Sequence, residues 1–246
     1  MKKTLILIPS RMAATRLPGK PLLKINNLSI ISHVFKRAEE ANIGEVVVAT
    51  DNQEILKDVL KNGGRAILTN KNHKTGTDRI YEAYEKLNIK NIDYILNLQG
   101  DEPDINKDDI INLNNFMINQ DAELGTLAAK IEDDTILNNR NVVKVVTDKK
   151  LAKNNFPIAL NFTRDNLSKD YQNNYHHIGI YSYKTNILKK FISLDQTINE
   201  KENKLEQLRA LDNKLKINVA LAGTSPIGVD TQEDYLAIKK IMEYKI

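Results

Sequence analysis

Three cations, Arg11, Arg16 and Lys20, fall within ten residues of one another. They follow an apolar run, Leu5–Ile8, on a loop that also holds Ser10, Ala13, Ala14 and Gly19, with Pro18 and Pro21 flanking Gly19 and Lys20. Guanidinium forks and a compact ammonium suit phosphate oxygens. Small residues let backbone amides approach the same oxygens. In open α/β sheets, ligands bind beyond the carboxyl ends of the strands, where this loop would lie. One reading is therefore a polyanion site; a solvated basic loop is the other, and spacing alone does not separate them. The Walker pattern Gly-x4-Gly-Lys-Ser/Thr is absent.

Six further stretches carry groups that could do chemistry. Gln99-Gly100-Asp101-Glu102-Pro103 follows the apolar run Ile92–Leu98. A carboxylate there is well sited to hold Mg²⁺ against nucleotide phosphates, and Gln99 has the donor and acceptor that base recognition needs. A plain turn uses the same residue types. In His73–Arg79, Thr77 is expected to cap a helix over Asp78–Leu87. Its free amides, with Gly76 and Arg79, make either an ordinary helix start or a place for an anion or a base edge. Asp230 or Thr231 is a sensible N-cap for a last helix, Tyr235–Met242. His176 and His177 adjoin on a strand, so they face opposite ways and do not suit a shared metal. Lys144 is either an exposed strand lysine or one that reaches a ligand. Residues 204–211, with Glu206 and Gln207, read as an amphipathic helix with its charges in water.

The elements that must position these groups alternate. Strands are expected at Lys3–Ile8, Glu45–Thr50, Arg65–Leu68 and Ile92–Leu98. Helices are expected at Ser29–Ala41, Ile55–Leu60 and Asp78–Leu87, the second stopping at Gly63-Gly64. That rhythm predicts crossovers and a parallel sheet. Further on, a helix is expected at Asp108–Ile118, strands at Gly125–Ile131, Val142–Thr147, Tyr175–Tyr183 and Lys216–Ala222, a short polar helix or loop at Asp133–Asn138, and a helix at Ile187–Phe191. The pattern weakens between Asp148 and Asn174.

Composition narrows the function class. The chain has 246 residues, 41% of them hydrophobic, enough for one large α/β domain without metal or disulfide staples. Net charge is +4, with 6% aromatics that do not alternate with the cations. That makes nucleic-acid binding a weak reading and a small anionic ligand a better one. There is no cysteine, and only a short apolar run precedes Pro9. With no run long enough for a membrane helix, a soluble cytoplasmic protein is expected.

The stretch Ile8–Leu23, IPSRMAATRLPGKPLL, resembles the N-terminal signature of the sugar-activating cytidylyltransferases, in particular the 3-deoxy-manno-octulosonate (Kdo) cytidylyltransferase family. Arg11, Thr15, Arg16, Leu17, Pro18, Gly19, Lys20 and Pro21 match; Ser10 and Ala14 depart from the usual residues. Gln99–Pro103, His73–Arg79, Asn141–Val146, His177–Tyr183, Leu205–Arg209 and Gly228–Asp234 are similar to further family segments in collinear order. The resemblance implies a three-layer nucleotide-diphosphosugar-transferase-like α/β fold with a mostly parallel central sheet. It implies one cytidylyltransferase domain over residues 1–246, with a mixed α+β sugar-binding and dimerisation portion near 150–224.

The implied enzyme is a nucleotidyltransferase that moves CMP from CTP to the anomeric hydroxyl of an acidic 3-deoxy sugar, most simply Kdo. Its product would serve lipopolysaccharide or related surface-glycan synthesis. Arg11, Lys20 and Asp101 would be catalytic. Arg11, Arg16, Lys20, His73, Gly76, Thr77, Arg79 and Gln99 would meet the nucleotide. Arg164, His177, Tyr181, Glu206 and Gln207 would meet the sugar, His177 through a carboxylate or a hydroxyl. Asp101 and Asp230 would hold Mg²⁺, and the enzyme would be a homodimer. Around Arg164 the family's serine is Thr163 and its Ile-Pro is lost, so another acidic sugar, such as 8-amino-Kdo or a sialic-acid relative, is an alternative. A nucleotide-binding regulatory protein without catalysis is another.

Overall fold

The computed structural model describes residues 2–13, 16–131, 137–165 and 173–244. Ala14 and Thr15 of the first motif lie outside these residues, as do most of the expected element at Asp133–Asn138 and the last two residues of Leu160–Leu167. In chain order the elements are β1 (Thr4–Ser10), β2 (Lys24–Ile25), β3 (Leu28–Ser29), α1 (Ile30–Glu40), β4 (Gly44–Thr50), α2 (Gln53–Lys61), β5 (Ala66–Leu68), α3 (Gly76–Leu87), β6 (Tyr94–Asn97) and α4 (Lys107–Asn119). There follow β7 (Leu124–Ala129), β8 (Lys144–Thr147), β9 (Ala159–Thr163), β10 (Asn174–Lys184), α5 (Thr185–Ile192), α6 (Ile198–Asn203), α7 (Gln207–Asp212), β11 (Ile217–Leu221) and α8 (Gln232–Tyr244).

The chain divides into two compact units, Met1–Ile110 with Pro226–Ile246, and Ile111–Ser225. The first contains a parallel sheet in the order β6-β1-β4-β5. Residues Thr4 to Leu7 of β1 are buried on both faces, as a parallel strand covered by helices requires. The chain runs from β1 outward to β4 and β5, then returns to place β6 on the other side of β1. The carboxyl ends of β1 and β6 are therefore neighbours at a reversal of strand order, where α/β sheets form crevices.

Helix α3 corrects one expectation. It begins at Gly76, and its cap is Thr75 rather than Thr77. Thr75 accepts from the Asp78 amide at 3.1 Å, and Asp78 accepts in turn from the Thr75 amide at 3.1 Å. This reciprocal pair was legible as Thr-x-x-Asp. Thr77 is instead a buried residue of the first turn, with its hydroxyl accepting from Asn97 at 3.4 Å. Thr75→Ala is expected to cost about 1 kcal/mol in denaturant unfolding. Loss of that stability from Thr77→Val, which removes the hydroxyl and keeps the shape, but not from Thr75→Ala would return the cap to Thr77.

The second unit is mixed. Strand β11 pairs parallel with β7, while β10 pairs antiparallel with both β7 and β8, and β8 with β9. Four elements were not expected. The β2–β3 hairpin turns at Asn26 and Asn27, which take φ of 47° and 64°; Asn tolerates this at both central positions of a two-residue turn. Among the described residues strand β9 pairs only with β8, and it leaves Leu160 and Asn161 exposed, so no clean alternation marks it. Helix α6, INEKEN, has too little apolar periodicity to register.

Candidate active site

A pocket of about 450 Å³ opens in the first unit, and its walls come from four stretches of chain. Residues Pro9, Ser10 and Arg11 at the end of β1 meet Gln99, Gly100 and Asp101 after β6. Gly100 is needed there: a side-chain Cβ would stand 2.9 Å from the Pro9 carbonyl oxygen. The loop after β1 adds Ala13, Arg16, Lys20 and Pro21; the start of α3 adds His73, Lys74, Thr75, Gly76 and Arg79; Asp230 completes the lining. The pocket thus brings together Arg11, Arg16, Lys20, His73, Gly76, Arg79, Gln99, Asp101 and Asp230, while Thr77 is absent from the lining.

Lys20 is presented by a tight turn. Gly19 adopts φ 72°, in the left-handed region that a side chain rarely enters, and the 3₁₀ turn Lys20–Leu22 begins directly after it. Asp230 arrives from the far end of the chain. Leu17, Ile25 and Ile30 pack with Val229, Ile238 and Met242 in one apolar cluster. The Val229 amide donates to the Asp101 carbonyl at 2.9 Å, which sets Asp230 beside Asp101. Thr231, the other N-cap candidate, does cap α8, accepting from the Asp234 amide at 3.2 Å.

The Lys20 ammonium lies 2.8 Å from Asp101 Oδ2 and 3.2 Å from Asp230 Oδ1, and Arg16 lies 2.8 Å from Asp230 Oδ2. Burial alone would lower the Lys20 pKa; the two carboxylates outweigh it, and the pKa is raised. Glu102, buried next to Asp101, is pushed up to about 8 by burial and by the Asp101 charge. It is mostly protonated at neutral pH and adds little negative charge. One cation reaches both Asp101 and Asp230, so their oxygens converge on a single cationic centre. That suits Mg²⁺, which takes one or two carboxylates and fills its remaining positions with phosphate oxygens and water. No group of three or more His, Cys, Asp or Glu that could hold a metal occurs among the described residues.

Other pocket residues are held by partners that sequence reading missed. Arg79 is buried and donates to Asp51 at 2.7 Å, to Thr69 Oγ1 at 2.7 Å and to the Asn70 carbonyl at 3.3 Å. It therefore ties the ends of β4 and β5 to α3 as well as edging the pocket. His73 meets Glu82 through Nε2. Glu82 also accepts from Lys86 at 2.6 Å and from the Asn70 amide at 2.8 Å. Burial would raise the Glu82 pKa, but these donors hold it at about 2. The spacing of Glu82 and Lys86 was a readable signal; the reach of Asp51 to Arg79 was not.

The residues expected at the sugar all belong to the second unit. Arg164 donates to the Asn141 carbonyl at 3.0 Å. Lys144 is fully buried and donates to the Asn139 and Arg164 carbonyls at 3.1 and 3.0 Å; it is neither an exposed strand lysine nor directed to solvent. His177 is buried on β10 while His176 is partly exposed, the alternation expected of adjacent strand residues. His177 Nε2 lies 2.9 Å from the Tyr181 hydroxyl and 3.1 Å from Thr126 Oγ1. Burial, then His176 and Arg164, push its pKa down to about 3. It is neutral at working pH and offers no positive charge to a carboxylate. Glu206 and Gln207 stand at the start of α7, with Glu206 Oε1 3.5 Å from Arg209.

The family model for cytidylyltransferases matches residues 5–217. A 3-deoxy-manno-octulosonate cytidylyltransferase from Nitrobacter hamburgensis is 43% identical over 241 residues, covering 98% of this chain and 93% of the relative. One from Thermodesulfovibrio yellowstonii is 43% identical over 251 residues, covering 97% and 98%. Among solved structures, a CMP:2-keto-3-deoxy-manno-octonic acid synthetase complexed with CTP superposes with a TM-score of 0.90 at 32% identity, over the whole of both chains. A 4-diphosphocytidyl-2C-methyl-D-erythritol synthase from Anaerococcus prevotii, at 15% identity and a TM-score of 0.64, shares the fold.

Proposed function

This chain belongs to the cytidylyltransferase family, and we propose that it is the Kdo-activating member, transferring CMP from CTP to Kdo with release of pyrophosphate. The observation that carries the reading is Lys20 between Asp101 and Asp230 in a pocket otherwise rich in cations. Support comes from relatives named for this reaction across nearly the full length of the chain.

In the transfer, the anomeric oxygen of the sugar forms a bond to the α-phosphorus of CTP, and the bond from that phosphorus to the pyrophosphate oxygen breaks. The sugar hydroxyl loses its proton, and pyrophosphate leaves with the bonding pair. The protein's task is to hold the two reactants in line and to neutralise charge. Arg11, Arg16 and Lys20 would bind the triphosphate and stabilise the departing pyrophosphate. The amides at the start of α3, with Gly76 and His73, would border the nucleotide, and Gln99 would face the base. Arg79, held by Asp51 and Thr69, would keep that wall in place. Asp101 and Asp230 would hold Mg²⁺, which when bound neutralises phosphate charge and makes the attacking hydroxyl more acidic. Arg164, His177, Tyr181, Glu206 and Gln207 would receive the sugar. The working form would be a cytoplasmic homodimer. Among the described residues, no helix is long and apolar enough to cross a membrane.

The test is pyrophosphate release with CTP, Mg²⁺ and Kdo, run beside 8-amino-Kdo and a sialic acid. Release with Kdo, abolished by chelation, is expected. Release with another acid only would keep the cytidylyl chemistry and reassign the sugar. Tight CTP binding without release from any acid would make the chain a binding protein.

A further inference from the structure

We propose that Thr126 is a positioning residue for the transfer reaction: it keeps the proton of neutral His177 on Nε2 and leaves Nδ1 as a bare acceptor for a hydroxyl of the sugar acid. The inference rests on the reading above that His177 meets the sugar.

Strand β10 changes register against β7 between Ile178 and Tyr181. Such an irregularity re-aims backbone groups. Here the carbonyls of Ile178 and Ile180 both come within reach of the Thr126 hydroxyl, at 3.3 and 2.7 Å. A carbonyl only accepts, so the single hydroxyl proton of Thr126 is committed to one of them. Its oxygen then faces His177 Nε2 at 3.1 Å with lone pairs alone. A bare Nε2 would set lone pair against lone pair inside a site where Thr126 is fully buried and His177 nearly so. An Nε2–H donates to Thr126 instead. The Tyr181 hydroxyl, 2.9 Å from the same nitrogen, can donate or accept. It adapts to the proton that Thr126 has placed.

No hydrogen bond to His177 Nδ1 is formed among the described residues, so on the reading that His177 meets the sugar this is the ring atom that would make the contact. Because burial holds the ring neutral, the choice of tautomer decides what the ring recognises. With a bare Nδ1 it accepts from a hydroxyl; with Nδ1–H it would donate, and would favour a carboxylate or ether oxygen.

Two-bond ¹⁵N–¹H spectra of the histidine-labelled full-length protein at neutral pH test this, with His177 assigned by the loss of its signals in His177→Gln. The wild-type ring is expected to carry its proton on Nε2. In Thr126→Val, which keeps the side-chain shape, the Tyr181 hydroxyl is free to donate to Nε2, and the proton is expected to move to Nδ1. KM for the sugar should then rise about tenfold, the scale of one hydrogen bond, with KM for CTP unchanged. Thr126→Ser should restore both the tautomer and KM. A wild-type proton on Nδ1, or an unchanged tautomer in a folded Thr126→Val, overturns the proposal. A tautomer switch with no change in sugar KM overturns the part of Thr126 in the reaction, and with it the reading of His177 as a sugar contact. Failure to turn over any sugar leaves the spectra to decide the tautomer on their own.

Discussion

Lys20→Met is expected to lower turnover by about 10²–10³-fold, the loss typical when one preorganised electrostatic group is removed from a transition state. Methionine keeps most of the length and removes the charge. In the structure that charge is the only side-chain cation shared by Asp101 and Asp230 among the described residues. Without it the two carboxylates lose their common partner, and the triphosphate loses a donor where negative charge gathers on the leaving pyrophosphate. Lys20→Arg should recover part of the rate, because a guanidinium keeps the charge but not its compactness. The measurement is kcat from pyrophosphate release at saturating CTP, with CTP affinity measured separately by calorimetry. A fall confined to affinity would make Lys20 a ground-state contact; a rate within threefold of wild type would remove it from the mechanism.

Arg209→Leu should destabilise the fold by about 3–5 kcal/mol, the usual cost of stripping one partner from a buried ion pair. Arg209 and Glu200 are each only 4% exposed, and the guanidinium donates to both Glu200 oxygens, from Nε at 2.8 Å and Nη2 at 2.6 Å. The guanidinium also lies over the Phe191 ring, 4.6 Å from its centroid. Removing it leaves a buried carboxylate without its cation. For a chain of this size the melting temperature should fall on the order of 10 °C. The double change Glu200→Met with Arg209→Leu should recover most of the loss, since packed apolar residues often replace a buried pair at little cost. A single variant within 1 kcal/mol of wild type, or a double variant as unstable as the single, would rule this account out.

Acid should expose the same pair. Burial would raise the Glu200 pKa, but Arg209, Gln196 and the Thr197 amide outweigh it, and the pKa is lowered. The folded state therefore favours the charged carboxylate. Its contribution is complete above the unfolded glutamate value of about 4.3 and is lost as pH falls from there through the lower folded value. Below about pH 4, wild type should lose stability more steeply than the double variant. Because Glu206 lies 3.5 Å from the same guanidinium, the Arg209 variant should also weaken sugar affinity if Glu206 meets the sugar.

Much of the first unit was determined by local sequence. The apolar runs Leu5–Ile8 and Val46–Ala49 suit buried parallel strands, and the periodicity of α1 and α2 sets their buried faces. The basic loop, the Gln99–Glu102 turn and the collinear motifs were legible because their residue types and spacing are set within a few residues. Thr75 was legible too, through Asp78, although Thr77 drew the reading away from it. Only the tertiary structure decided what met what. Asp230 reaches Asp101 across more than half the chain because Val229 joins the cluster of Leu17, Ile25 and Ile30 and its amide bonds the Asp101 carbonyl. Arg79 is fixed by Asp51 because parallel pairing aligns the ends of β4 and β5. The proton on His177 depends on two carbonyls that a register shift turns toward Thr126. Sequence spacing encodes local periodicity. These last three arrangements are contacts between segments far apart along the chain, and they come into being only when the core closes around them.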